Sequence, residues 1–252
     1  MSRRALAGVA ALALALTSVL TGCSGSASPN STITVLAAAS LSDTFDTLAA
    51  DYEQAHPSVD VQVSYGGSSA LAQQVNDGYP ADVLASASTK TMDTVVASGK
   101  ATTPTTFATN VLEVAVPKDN PGGVRALADL TKPDLQIALC QSSVPCGAAS
   151  ATLLTRQNLT VRAATEEADV RSVLTKVRLG EVDAGLVYAT DVRAAGDDVI
   201  GIEIPPNQNV STSYPIATLT GAQNPDGAAA FMGEVLSDHG RAVLREAGFT
   251  LP

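Results

Sequence analysis

Residues 61–75, VQVSYGGSSALAQQV, change period in the middle. Val61, Val63 and Tyr65 alternate as in a strand, whereas Leu71, Ala72 and Val75 share one face of a helix. Gly66 and Gly67 turn the chain between them, and Ser68 and Ser69 open the helix. Serine on such a junction suits two chemistries. It is a nucleophile on a sharp elbow, or one of several neutral donors cradling an anion at a helix N-terminus.

The same alternation runs outward in both directions. ITVLAAAS (33–40) is a near-continuous apolar run, as in a strand buried on both faces. Leu41, Phe45, Leu48, Ala49 and Tyr52 follow at helical spacing, with Pro57 as the stop. ADVLASAS (81–88) reads as strand and residues 89–100 as helix. Strands are predicted at 110–118, 135–140, 184–191 and 214–220, and helices at 147–158 and 169–181. Closing helices fill 225–249, with Gly240 as the expected break. Strand and helix alternate without β-only runs, which predicts an α/β fold with a parallel sheet covered by helices on both faces. The material exceeds one minimal sheet, so two α/β lobes are expected.

The beginning of the chain is read separately. MSRR followed by ALAGVAALALALTSVL is a basic start and an apolar run too short to span comfortably, so residues 1–22 read as a secretory signal. LTGC (20–23) resembles a lipobox, with Cys23 the lipidation site and residues 23–31 a flexible tether. Removing residues 1–22 takes Arg3 and Arg4 and no acid, moving the formal charge from −10 to about −12. A chain of pI near 4.5 excludes nucleic acid as a partner, because phosphate contacts need clustered Lys and Arg. Contact with the membrane is then expected through the lipid alone. Cys140 and Cys146 remain, and their short spacing in an oxidising compartment favours a disulfide over a metal site.

The elbow reading takes Ser68 as the nucleophile of a serine esterase, with His239 as a late base. Gly66, Ser68 and Ala70 form a near miss to G-x-S-x-G, but Ala70 crowds the turn and no His-Gly-Gly segment lies upstream. The cradle reading starts from four strand-to-helix junctions: at Ser40, at Ser68 and Ser69, at SSVPCGAAS (142–150), and around Asp169. Converging helix N-termini make an anion site without Lys or Arg. The competing explanation is that these serines only cap their helices, and Ser40 with Asp43 does form an S-x-x-D capping-box pattern. Tyr188 is equally a phenol donor into a cleft or a tyrosine closing the core.

Taken together, ITVLAAASL, YGGSSALAQQV, GYPADVLASAS, VPCGAASA, EEADVRSVL, GEVDAGLVYATD and YPIATL resemble the periplasmic molybdate-binding components of ABC importers, in order and over nearly the whole mature chain. The resemblance implies the type II periplasmic-binding-protein fold, two α/β lobes joined by two crossing strands. Lobe 1 is expected to comprise 32–109 with 217–252, and lobe 2 110–216. It also implies a monomeric carrier, not an enzyme, that needs no cofactor and passes molybdate or tungstate to an ABC permease, with a sulfate or thiosulfate carrier as the alternative. The ligand set carried over is Ser40, Ser68, Cys146, Val170 and Tyr188, holding the metal as its oxyanion rather than by direct coordination. Ser40 gives its hydroxyl and N–H, Ser68 is the ligating serine of the second turn, Cys146 and Val170 give backbone N–H groups, and Tyr188 its phenol. Ser69 replaces Ser68 if the turn register differs by one. Cys146 stands where the family usually has alanine, a change that a backbone donor tolerates.

Overall fold

The computed structural model describes residues 31–252, so the signal segment, Cys23 and most of the tether lie outside the described residues. The chain first alternates β1 (Ser31–Ala38), α1 (Ser42–Ala55), β2 (Val59–Gly66), α2 (Ser68–Asn76), β3 (Val83–Ala85) and α3 (Thr89–Ala97). A long strand, β4 (Thr105–Pro117), leads into β5 (Ile137–Cys140), α4 (Pro145–Arg156), β6 (Thr165–Glu167) and α5 (Val170–Arg178). Then come β7 (Ala184–Tyr188), α6 (Ala189–Ala195) and β8 (Val199–Glu203). Finally β9 (Ser211–Thr218) returns the chain to α7 (Pro225–Leu236) and α8 (Asp238–Glu246).

Strands neighbour one another in the order β2-β1-β3-β9-β4-β7-β5-β6, with β8 also on β4. β1 pairs in parallel with β2 and β3, and β5 with β6 and β7. The long strands differ. β4 runs antiparallel to β9 over its first half and to β7 and β8 over its second, while β9 continues antiparallel to β3. Each half of the sheet is therefore mixed rather than purely parallel, because the crossing strands enter both halves antiparallel. Two α/β lobes joined by these two strands are the architecture the resemblance implies.

Burial follows the apolar pattern. Ile33, Val35 and Ala37 of β1 face a core shared with α1 and α7, and Leu36 faces the opposite core under α2 and α3. A separate core runs from Leu112 to Val210 in sequence, with Val173, Val177 and Leu186 at full burial. Burial on both faces is why β1 reads as an unbroken apolar run.

Three local expectations are overturned. The strand expected at 184–191 stops at Tyr188, and residues 189–191 open α6. The closing helices break at Ser237, whose hydroxyl accepts from Gly240 N at 3.0 Å, and Gly240 lies inside α8. There its missing Cβ lets the helix pack onto the Glu234 and Val235 carbonyls. The Ser40–Asp43 capping box does not form either. A 3-10 turn, Ala39–Leu41, delays α1, Ser40 Oγ turns to Tyr214, and Asp43 pairs with Arg171.

Candidate functional site

Helix starts from both lobes arrive at one place. β1 ends in the turn that carries Ser40, and β2 ends just before α2, whose first residue is Ser68. Opposite them, α4 begins at Pro145 and α5 at Val170. Parallel strands place the N-termini of their following helices along one edge, where a crevice opens. These starts line a small cavity with about 20 Å³ of room for the centre of a water-sized sphere. Ser40, Ser68, Cys146, Val170 and Tyr188 all line it, and all are buried.

Each presents a donor. Ser68 Oγ accepts from Ala87 N at 3.0 Å, and since an N–H can only donate, the serine keeps its own proton for another acceptor. In α4 the Ala148 N–H is bonded to Val144 O at 2.9 Å, so Cys146 N–H, two residues earlier, has no intrahelical partner. Pro145 at the first position has no N–H to leave orphaned, as its place in the sequence suggests. Val170 N–H opens α5 in the same way. Tyr188 closes β7 at 1% exposure, and its phenol oxygen is buried with no hydrogen-bond partner. Burial pushes that phenol well above its ordinary pKa, outweighing the neighbouring Thr212 and Tyr214 hydroxyls, so it stays a protonated donor.

The charges near the cavity are locally spent. Asp169 lines it, but its carboxylate caps α5, accepting from Ser172 N at 2.9 Å and Ser172 Oγ at 3.1 Å. No Lys, Arg or His of the described residues lines it. Arg171 lies at the larger adjoining hollow, where it bridges the lobes by pairing with Asp43 at 2.8 Å. The buried Asp191 stands 3.6 Å from the same guanidinium. Burial pushes the Asp191 carboxyl up to about 7, against the pull of Arg171.

Two close approaches shape the walls. A Cβ at Gly67 would run into the Ala168 carbonyl of the facing lobe, and one at Gly147 into the Gln141 carbonyl. The Cys140 and Cys146 sulfurs lie at bonding distance, 2.02 Å, closing the loop that leads into α4.

Ser69 does not reach the cavity, because its hydroxyl donates to Ser143 O at 2.7 Å. His239 is likewise absent from it. Its ring, half exposed on α8, sits 2.7 Å from a Glu234 oxygen and 3.3 Å from an Asp51 oxygen. The elbow reading therefore lacks its base. Sequence reasoning missed Tyr214, whose phenol oxygen lies 2.8 Å from Ser40 Oγ. It stands in YPIATL, where nothing but the long-range pairing of β9 shows what it faces.

The family of bacterial extracellular solute-binding proteins matches residues 33–250. The molybdate-binding protein ModA of Mycobacterium tuberculosis is 38% identical over 221 residues, covering 87% of this chain and 85% of that one. Among solved structures, the periplasmic molybdate-binding protein of Azotobacter vinelandii aligns with a TM-score of 0.78 at 22% identity, over 87% of this chain and 99% of that one. The sulfate-binding protein SubI of M. tuberculosis aligns with a TM-score of 0.75 at 19% identity, over 88% and 87%. The two structures speak to the fold alone.

Proposed function

The chain belongs to the bacterial extracellular solute-binding proteins, and we propose that it captures molybdate, and tungstate with it, between its lobes and hands it to the permease of an ABC importer. The observation that carries the reading is the convergence of five neutral donors from both lobes on one buried cavity, with the Tyr188 phenol left without a partner. The 38% identity to a molybdate-binding protein supports the choice of anion.

The mechanism is a hinged trap. Lobe 1, residues 32–109 with 217–252, supplies Ser40 and Ser68. Lobe 2, residues 110–216, supplies the Cys146 and Val170 N–H groups and the Tyr188 phenol. An anion that bridges both sets favours the closed form by its differential contacts. Each charge-assisted hydrogen bond contributes roughly 1.5–3 kcal/mol net, enough in concert for tight binding despite desolvation. Donors alone leave no acceptor for the proton of hydrogen phosphate. Sulfate has the same charge and is smaller, so discrimination against it rests on cavity size. Cys23 would tether the carrier to the outer face of the membrane by lipid, and the protein acts as a binder, without turnover.

The test is isothermal titration of the detergent-solubilised full chain with molybdate, tungstate, sulfate and phosphate. One-to-one binding of the first two alone is expected. Equal binding of sulfate would keep the fold and change the cargo, and no heat with any of them would overturn the carrier reading.

A further inference from the structure

Resting on that reading, we propose that Tyr214 is a positioning residue: its phenol holds the Ser40 hydroxyl as a donor into the cavity and thereby restricts the site to fully deprotonated oxyanions. Tyr214 is completely buried in β9, its oxygen lies 2.8 Å from Ser40 Oγ, and it does not line the cavity. It can act on a ligand through Ser40, or through the Tyr188 phenol that its own hydroxyl neighbours, and the Ser40→Ala background separates the two routes.

Ser68 has its direction set by the Ala87 N–H, which cannot accept. Ser40 receives its contact from a second hydroxyl, and either oxygen can donate. If the phenol donates, the Ser40 proton is left for the anion. If the serine donates, its lone pairs face the cavity, where they repel an anion and welcome a protonated one. A phenol is the stronger acid, so it is the better donor of the two. The Asn110 amide donates to Thr190 Oγ1 at 2.8 Å, so the direction of the Tyr214–Ser40 bond rests on the greater acidity of the phenol.

The ring is held on three sides. Phe249, Tyr188 and Phe107 meet it edge-on at centroid distances of 5.3, 6.0 and 6.4 Å. Phenylalanine at 214 would keep these contacts and lose the hydroxyl alone.

The experiment compares the full-length wild type with Tyr214→Phe, Ser40→Ala and the double variant, titrated with molybdate and with phosphate at mildly alkaline pH. There molybdate carries no proton and phosphate carries one at the same formal charge. Tyr214→Phe is expected to weaken molybdate about fivefold to tenfold, the loss of one neutral hydrogen bond, and to narrow the molybdate-to-phosphate ratio further as Ser40 turns to accept. On the Ser40→Ala background, Tyr214→Phe should change molybdate affinity no further. A merely structural tyrosine would act additively and leave the ratio alone. Either of those results, or an unchanged Tyr214→Phe, overturns the proposal, whereas a wild type that binds no oxyanion overturns the carrier reading instead. Proton NMR of the wild type with labelled tyrosine gives a check that needs no variant. An exchange-protected Tyr214 phenol proton directed at Ser40 is expected, and a Ser40 proton directed at Tyr214 in the molybdate complex would sink the idea.

Discussion

Ser68 brings an unspent proton to the cavity because the Ala87 N–H already fills one of its lone pairs. Ser68→Ala should then cost one charge-assisted hydrogen bond, about 1.5–3 kcal/mol or roughly 10- to 150-fold in molybdate affinity, read by titration calorimetry. His239→Ala should leave that affinity untouched, since its ring is bound to Glu234 and Asp51 away from the cavity. Asp191 makes a different prediction. Its carboxyl is pushed from 3.8 to about 7 by burial, with Arg171 pulling the other way. A raised folded-state pKa means that the folded protein holds the proton more tightly. The contribution to stability is full below about pH 4 and is lost as pH rises through about 7. Asp191→Asn removes this dependence and can still accept from Tyr188 N, now bonded at 3.0 Å. Thermal melts from pH 4 to 9 should show the variant gaining on the wild type as pH rises. A constant or shrinking difference would contradict the buried-acid argument.

Helix starts matter more than helix bodies in this molecule. The N-terminus of α2 comes so close to the facing lobe that Gly67 has no room for a Cβ beside the Ala168 carbonyl. Gly67 is extended, with an ordinary negative φ of −62°, so alanine there is a steric change and not a backbone one. Gly67→Ala should wedge the lobes apart, weakening molybdate tenfold or more while the circular dichroism spectrum stays the same. A disulfide between Cys140 and Cys146, which their short spacing in an oxidising compartment favours, should leave both unmodified when the native protein is alkylated and peptide-mapped. Elements were legible where period and burial agree. β1 is apolar because both its faces are buried, and α2 shows its buried stripe of Leu71, Ala72 and Val75. The first half of β4 and the start of β9, TTFAT and STS, were missed because they are rich in Thr and Ser and their partners lie a hundred residues away. β6 and β8 were missed too, the first for being three residues long and charged. The candidate site was legible through its junctions, since Gly-Ser and Pro-Cys-Gly turns are local signals. Tyr214 was not, because its role exists only once β9 lies against β4 and carries the ring to Ser40.

At the scale of the whole molecule, the cavity proposed to take a dianion sits inside a chain of formal charge −10. The donors that line it act over a few ångströms, whereas the acidic surface repels an approaching oxyanion over a Debye length, about 30 Å at 10 mM salt and 8 Å at 0.15 M. The hollow at the mouth does not reverse that field, because Arg171 and Lys176 are matched there by Glu167, Asp169 and Glu181. Lys176 is itself paired with Glu181 at 3.2 Å and Glu167 at 3.8 Å. Encounter and retention are thus governed by different parts of the protein, the first by the global charge and the second by fixed neutral donors. Association of molybdate should become faster when inert salt is raised from 10 mM to 0.15 M, by roughly two- to fivefold, while dissociation changes little. The chain has no Trp, and Tyr188 and Tyr214 lie at or beside the cavity, so stopped-flow tyrosine emission can follow both steps. An association rate that falls with salt would mean that Arg171 and Lys176 draw the anion in despite their acidic neighbours, and Arg171→Gln would then abolish the salt dependence.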